Sequence, residues 1–207
     1  MLKLYCAPHT ISTVIVTTLN EGVHWEPILL DVRGGAQLEP EYLALNPKGR
    51  VPLLITPEGP ITETGAILEY LGETVLPRLV PIDPLARAKM REVMYYLAST
   101  MHVNHAHARR GYRWADKQSS FDDMAAKVPE TMAASAAFVN DLIEGPLLFG
   151  DEPTLADFYL YSVARWLEAD GVDPSAYPKI MTLHKTMRAR PGVAKAHADG
   201  FFGERKD

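Results

Sequence analysis

Sulfur chemistry is almost missing from this chain: of its 207 residues only Cys6 is a cysteine. That excludes an intramolecular disulfide framework and any cysteine-based zinc site, and it suits a reducing compartment. A surplus of positive charge is also missing. The 21 Lys and Arg stand against 26 Asp and Glu, a formal charge of −5, which argues against nucleic-acid and anionic-membrane partners. No apolar run approaches the ~20 residues of a membrane span. The first residues lack the basic start and the small-residue cleavage site of a signal peptide. Internal repeats and low-complexity tracts are absent. What is left is a cytoplasmic globular protein, whose 47% hydrophobic residues suffice for one large core or two small ones.

What is present changes character near residue 77. Before it, strand and helix patterns alternate. Lys3 to Ala7 is a short apolar run stopped by Pro8, and Ile11 to Glu21 is a breaker-free helix closed by Gly22. Trp25 to Val32 reads as a second strand, with Pro27 favouring an edge. Pro40 to Pro47 is a short helical turn. Two strands, VPLLIT and PITE, follow around the turn at Pro57 to Pro60, and Glu63 to Val75 is a helix with Ile67, Leu68 and Leu71 on one face. Together these make an α/β unit of thioredoxin-like size. Prolines 77, 81 and 84 then stiffen a linker, after which only helical patterns occur: Leu85 to His107, Phe121 to Glu144, Thr154 to Ala169, Pro178 to Arg190, and a short last turn. The expected fold class is therefore α/β plus all-α: residues 1–76 as an N-terminal thioredoxin-like domain, 77–83 as linker, and 84–207 as a C-terminal helical bundle domain.

Four stretches carry local chemistry. In LYCAPHTISTVIV (Leu4 to Val16) a strand enters a helix through a polar turn that offers Cys6, Thr10 and Ser12. In NPKGRVPLL, Pro52 directly precedes an apolar strand, where a cis peptide would turn the Val51 backbone toward a ligand. In TETGAI a helix start presents N–H groups to an anion, with Thr64 adding a hydroxyl and Glu63 accepting from an ammonium. In DEPTLADF, Thr154 and Asp157 have capping-box spacing ahead of a helix that is apolar almost all round. These two residues belong to folding, not to catalysis.

NPKGRVPLL, TETGAILEYL, FGDEPTLADFYL and RPGVAKA, in this order, resemble the glutathione transferase family over essentially the whole length of the chain. The bacterial beta-type branch is the most similar, because KLYCAPHTIS resembles its KLYYxPGxCS opening. The resemblance implies a thioredoxin-like domain that binds glutathione as co-substrate, a helical domain that supplies the electrophile pocket, and a homodimer with no metal. Glutathione would be held by Arg50, the Val51 backbone, Pro52, Glu63 and Thr64. His102 falls where beta-type members carry a histidine near the glutathione sulfur, although the lysine that follows there is Val103 here. Arg109, Tyr112, Arg113 and Trp166 would line the second-substrate pocket. His102, His105 and His107 have no carboxylate or cysteine at ligand spacing, so the helix that carries them is read as solvated or cleft-lining.

The departure from the family lies in the opening turn. Ile11 occupies the cysteine position, and Ile forms neither a mixed disulfide nor a hydrogen bond. Cys6 lies on the strand, where a thiol is a packing group. Two hydroxyls remain as catalytic candidates: Ser12, favoured by the beta-type register, and Thr10, similar in place to the serine of plant and theta-like branches. The expected activity is a glutathione transferase that activates the thiolate for attack on a small electrophile. A glutathione-dependent isomerase, dehalogenase or ether-cleaving enzyme is the first alternative. A non-catalytic binding or regulatory protein of the same fold is the second.

Overall fold

The computed structural model describes residues 1–203, and within them the chain divides into two compact units. The first comprises Met1–Val80 together with the described chain from Arg188 onward; the second is Pro81–Met187.

In the first unit, β1 (Leu2–Cys6) alternates buried and half-buried residues, as a strand covered on one face should. It runs parallel to β2 (Trp25–Leu29), and the connection between them contains α1 (Thr13–Leu19). On its other side β1 pairs antiparallel with β3 (Leu53–Thr56), which pairs in turn with β4 (Gly59–Thr62). The order β2-β1-β3-β4 makes this a mixed thioredoxin-like sheet with β2 and β4 at its edges. Pro27 and Pro60 sit on those edge strands, where a missing N–H breaks no ladder. A short α2 (Pro40–Leu43) precedes β3, and α3 (Thr64–Thr74) buries Ile67, Leu68 and Leu71.

Every residue of α1 is buried, including Thr13, Thr17 and Thr18. The hydroxyls of all three bond back to main-chain carbonyls, so none is left without a partner in the core. Burial on all sides follows because α1 packs against the sheet, α3 and α9 (Pro191–Ala198). The docking of α9 centres on Glu21, whose side chain is only 4% exposed. Its carboxylate pairs with Arg190 and accepts the Gly192 N–H at 3.1 Å. Asn20 bonds the Gly192 carbonyl, and Arg78 bonds the Glu21 carbonyl.

Here the structure departs from the domain boundaries expected from sequence. The sequence pattern puts residues 84–207 in the helical domain, whereas the described part from Arg188 onward packs with the first unit; residues 204–207 lie outside the described residues. The expected short last turn is an eight-residue helix. Its seating on α1 depends on a glycine and a buried ion pair, which no hydrophobic periodicity reveals.

The second unit is all-helical. Asp83 caps α4 (Pro84–Tyr96) by accepting the Ala86 N–H at 2.8 Å. The expected helix from Leu85 to His107 is interrupted by a π-helical stretch, Leu97–Met101, before α5 (His102–Arg110). α6 (Gln118–Leu142) is the longest, and α8 (Pro178–Arg188) follows α7 (Leu155–Ala164). All ten residues of α7 are buried, as its apolar sequence requires. Asp157 is fully buried at its start: it accepts Thr154 N–H at 2.7 Å, Thr154 Oγ1–H at 2.8 Å and Leu148 N–H at 2.8 Å. Burial nevertheless raises its pKa, outweighing those bonds.

A Cβ on Gly192 would stand 2.5 Å from the Thr17 carbonyl oxygen, a backbone atom that cannot move aside. Gly192→Ala should therefore destabilise the first unit by about 1–3 kcal/mol, as overpacking does. Thermal unfolding should show a Tm lower by roughly 2–12 °C. An unchanged Tm would mean that α9 is not held against α1. Asp157→Ala orphans two buried N–H donors and should cost about 2–5 kcal/mol, with Asp157→Asn milder because one acceptor oxygen remains.

Candidate functional site

The turn between β1 and α1 is built around the Ala7 peptide unit. Ser12 Oγ accepts the Ala7 N–H at 3.0 Å and lies 3.1 Å from the Ala7 carbonyl. Thr10 Oγ1 lies 2.8 Å from that same carbonyl and 2.7 Å from Ser12 Oγ. The two hydroxyl protons thus have the Ala7 oxygen and each other as acceptors. Ser12 is 0% exposed, whereas Thr10 and Ile11 are half-buried. If an anion meets Thr10, its proton turns outward while Ser12 donates to the Ala7 carbonyl. No buried group then loses its partner.

The N-terminus of α1 contributes less than a free helix start would. The amides of Thr13, Val14 and Ile15 bond to the carbonyls of Thr10, Ile11 and Ser12 in tight turns, so the usual orphan donors are already engaged. His9, ahead of them, has φ 58 and donates its N–H to the Phe201 carbonyl at 3.2 Å. The middle of the turn is therefore held from the C-terminal segment of the same unit.

Cys6 points away from this chemistry. It is 0% exposed, and burial pushes its thiol up to about 12. A thiol in that state is neither a nucleophile nor a redox partner.

Farther along, the Val51–Pro52 peptide is cis. The β3 ladder begins only at Leu53, so half-buried Val51 stands ahead of it. The Arg50 carbonyl is fixed by Tyr42 Oη at 2.6 Å and Asn46 Nδ2 at 2.7 Å, while the Arg50 side chain is exposed. Neither Tyr42 nor Asn46 was singled out from sequence, yet both set the backbone ahead of Pro52.

At the start of α3, Glu63 has φ 73 and ψ 123, unusual for a residue with a side chain. The first helical bond is Ile67 N–H to Glu63 O, which places the Thr64, Gly65 and Ala66 amides ahead of the helix ladder. Thr64 is 7% exposed. The Glu63 carboxylate is 2.5 Å from Lys48 Nζ, which also donates to Thr62 Oγ1 at 2.6 Å. Lys48, from the NPKGR stretch, is a site-adjacent residue that the sequence alone did not distinguish from an exposed lysine.

In the helical unit, His102 and His105 both meet Trp166, with ring centroids 5.0 and 4.1 Å away. Arg109 is exposed. Tyr112 and Arg113 occupy a turn after α5, with Tyr112 63% exposed and the Arg113 guanidinium 6.0 Å above its ring. Trp166 is thus brought to the histidines of α5. His107 instead packs edge-on against Trp114. Among the described residues no group of three or more His, Cys, Asp or Glu is arranged to hold a metal ion, and none of the helices is long and apolar enough to cross a membrane.

The mixed four-stranded sheet, the cis-proline loop and the helical second unit define a thioredoxin-like enzyme fold with an appended helical domain. Residues 1–73 match the family model described as glutathione S-transferase, N-terminal domain, and residues 92–191 match the corresponding C-terminal domain. The chain belongs to the glutathione S-transferase family, whose enzymes use glutathione as co-substrate. It is similar to a glutathione transferase homologue from Sulfitobacter, solved with bound glutathione, at 50% identity and a TM-score of 0.93, covering 98% of this chain and 99% of that one. It is also similar to the maleylacetoacetate isomerase of Pseudomonas aeruginosa, 33% identical with 95% of each chain covered. Glutathione S-transferase GstA of Escherichia coli O157:H7 is 27% identical, covering 94% of this chain and 96% of that one.

The Cys6 environment has a measurable sign. Its folded pKa lies above the unfolded value, so its contribution to stability is complete below about pH 9 and declines as pH rises toward 12. Between pH 9 and 10 the wild type should lose about 1 kcal/mol more than Cys6→Ala in paired denaturant titrations. Equal losses in both proteins would show the thiol to be accessible.

Proposed function

We propose that this protein is a cytoplasmic, homodimeric glutathione transferase in which Thr10 donates the hydrogen bond that stabilises the glutathione thiolate, with Ser12 supporting Thr10 from the core. The observation that carries this reading is the 2.7 Å hydroxyl pair, in which only Thr10 has any exposure. A free thiol ionises with a pKa near ~8.5. Lowering it by one to two units takes about 1.4–2.7 kcal/mol, and one hydrogen bond to a charged partner supplies roughly 1.5–3. The α1 dipole adds on the order of 0.3–1 kcal/mol. With the α1 amides engaged internally, the hydroxyl carries the larger share.

Glutathione binds in this reading through the Val51 backbone at cis-Pro52, the amides at the start of α3, Thr64 and Glu63, with Arg50 toward its glycine end. Its α-ammonium replaces Lys48 on Glu63. Exposed ion pairs of this kind are worth only about 0–1 kcal/mol, so the exchange is cheap. In the helical unit, His102 and Trp166 border the second substrate, with Arg109, Tyr112 and Arg113 at its outer margin. The thiolate then attacks a small electrophile, forming the C–S bond.

The likeness to a maleylacetoacetate isomerase favours a second reading on the same site. There the thiolate adds to a conjugated double bond, rotation follows about the resulting single bond, and the thiolate leaves again. A transferase consumes glutathione and accumulates a conjugate; an isomerase returns it unchanged, and product analysis separates the two.

Thiolate absorbance of bound glutathione tests the core of the proposal. Thr10→Val should raise the bound thiol pKa by about 1–2 units and lower kcat/KM at neutral pH by roughly 10–100-fold. Ser12→Ala should have a smaller effect on the thiol but lower stability, because the Ala7 N–H loses its acceptor. A thiolate that survives both substitutions overturns the assignment, and tight binding with an unshifted pKa in the wild type leaves only a binding protein. Glu63→Gln should weaken glutathione binding about tenfold without moving the thiol pKa, measured by calorimetry.

A further inference from the structure

The helical unit contains a buried carboxylate that neither the thiol chemistry nor the capping of its helices uses. Asp170 lies in the turn after α7, its side chain 3% exposed, and both of its oxygens face His105 Nδ1, at 3.0 and 2.8 Å. An ionised carboxylate only accepts, so Nδ1 carries the proton and Nε2 keeps its lone pair. Both hydrogen bonds of His105 among the described residues run through Nδ1. The ring is fixed by two further contacts. It stacks on Trp166 at 4.1 Å with 16° between the planes, and its helix is pinned by Asn104, which donates to Thr131 O and Ser135 Oγ on α6. The turn itself is held by the Asp170 N–H to Trp166 O at 2.9 Å and closes at Gly171, φ 80. The His105 side chain keeps 17% of its surface exposed.

We propose that His105 and Asp170 form a proton-accepting pair that recognises a weakly acidic hydroxyl, phenolic or enolic, on a planar second substrate. Nε2 takes the proton: the O–H bond breaks, its electron pair stays on oxygen, an N–H bond forms, and the new imidazolium charge is balanced by Asp170. The proposed form, with Nδ1–H on the carboxylate and a bare Nε2, suits a neutral O–H donor rather than a ligand that arrives as an anion. The rings of Trp166 and His102 supply the aromatic surroundings a planar ligand needs. His105 touches the ligand; Asp170 is a positioning residue that fixes the tautomer. Other charged groups on these elements are His102, His107, Arg109 and Arg110 on α5, and Arg165 and Glu168 beside Asp170. On α6, near the Gly171 turn, Lys127 and Glu130 pair with each other at 2.6 Å.

The proposal rests on the glutathione transferase reading only for calling the ligand a second substrate. It is therefore tested without glutathione, so that failure of the thiolate assignment and failure of this one are distinguishable. The probe is para-nitrophenol, whose phenolate is coloured. The wild type should bind it and ionise it about tenfold more readily than water does. His105→Gln, which keeps a polar side chain but no base, should abolish that shift. Asp170→Asn should reduce it while nitrogen chemical shifts of His105 show the proton moved from Nδ1. Should Asp170→Asn fail to fold, His105→Gln still decides. Absence of binding to the wild type, an unshifted ionisation on binding, or a shift that persists in His105→Gln overturns the proposal. So does a loss confined to melting temperature, which is all that a purely structural pair would give.

Discussion

The buried carboxylate of Glu21 is the constraint on which the first unit depends. A carboxylate at 4% exposure is tolerable only when its oxygens are engaged. Here the partners come from the far end of the chain: the Arg190 guanidinium and the Gly192 amide. Satisfying that one charge draws α9 onto α1 and brings the segment ending at Phe201 beneath the turn that carries Thr10. The His9 N–H then closes the circuit on the Phe201 carbonyl. A loop that would otherwise be anchored only at its two ends acquires a third support, and the hydroxyl it carries gains a fixed direction.

In the proposed function, two helix starts divide the work of binding. At α1 the first amides close on carbonyls of the turn, leaving side-chain hydroxyls to face a ligand. At α3 the amides of Thr64 to Ala66 precede the ladder, and the unusual backbone of Glu63 turns the chain into the helix. One start suits a single soft anion beside a hydroxyl. The other suits a carboxylate that accepts several N–H bonds at once. Glutathione has both kinds of group.

Much of this was legible in the residues. Alternation in KLYCA, the edge prolines 27 and 60 and the all-apolar α7 each reflect a local rule, and local rules survive folding. The proline at 52 and the helix start at 63 were legible for the same reason. Three things were not. The π-helical stretch Leu97–Met101 leaves no trace in periodicity because the helix continues through it. The return of α9 depends on one glycine's missing Cβ against the Thr17 carbonyl, a contact 175 positions away in sequence. Asp170 reads as an ordinary acid at a helix end, and only its partner His105, from another helix, makes it a buried one. Arg109, Tyr112, Arg113 and Trp166 read as a pocket wall because charge and aromatics cluster there; in the folded unit Tyr112 and Arg113 occupy a turn after α5, and Trp166 meets His102 and His105.

Isoleucine at position 11, together with a shielded Cys6, has a consequence for the cell rather than for a single turnover. A surface that handles glutathione is exposed to both members of its redox couple, and any thiolate within reach attacks the disulfide of the oxidised form, which expels one glutathione thiolate. This chain offers none: its single sulfhydryl sits at 0% exposure with a pKa near 12. The oxidised dimer of the tripeptide therefore finds no thiolate on this chain with which to form a mixed disulfide.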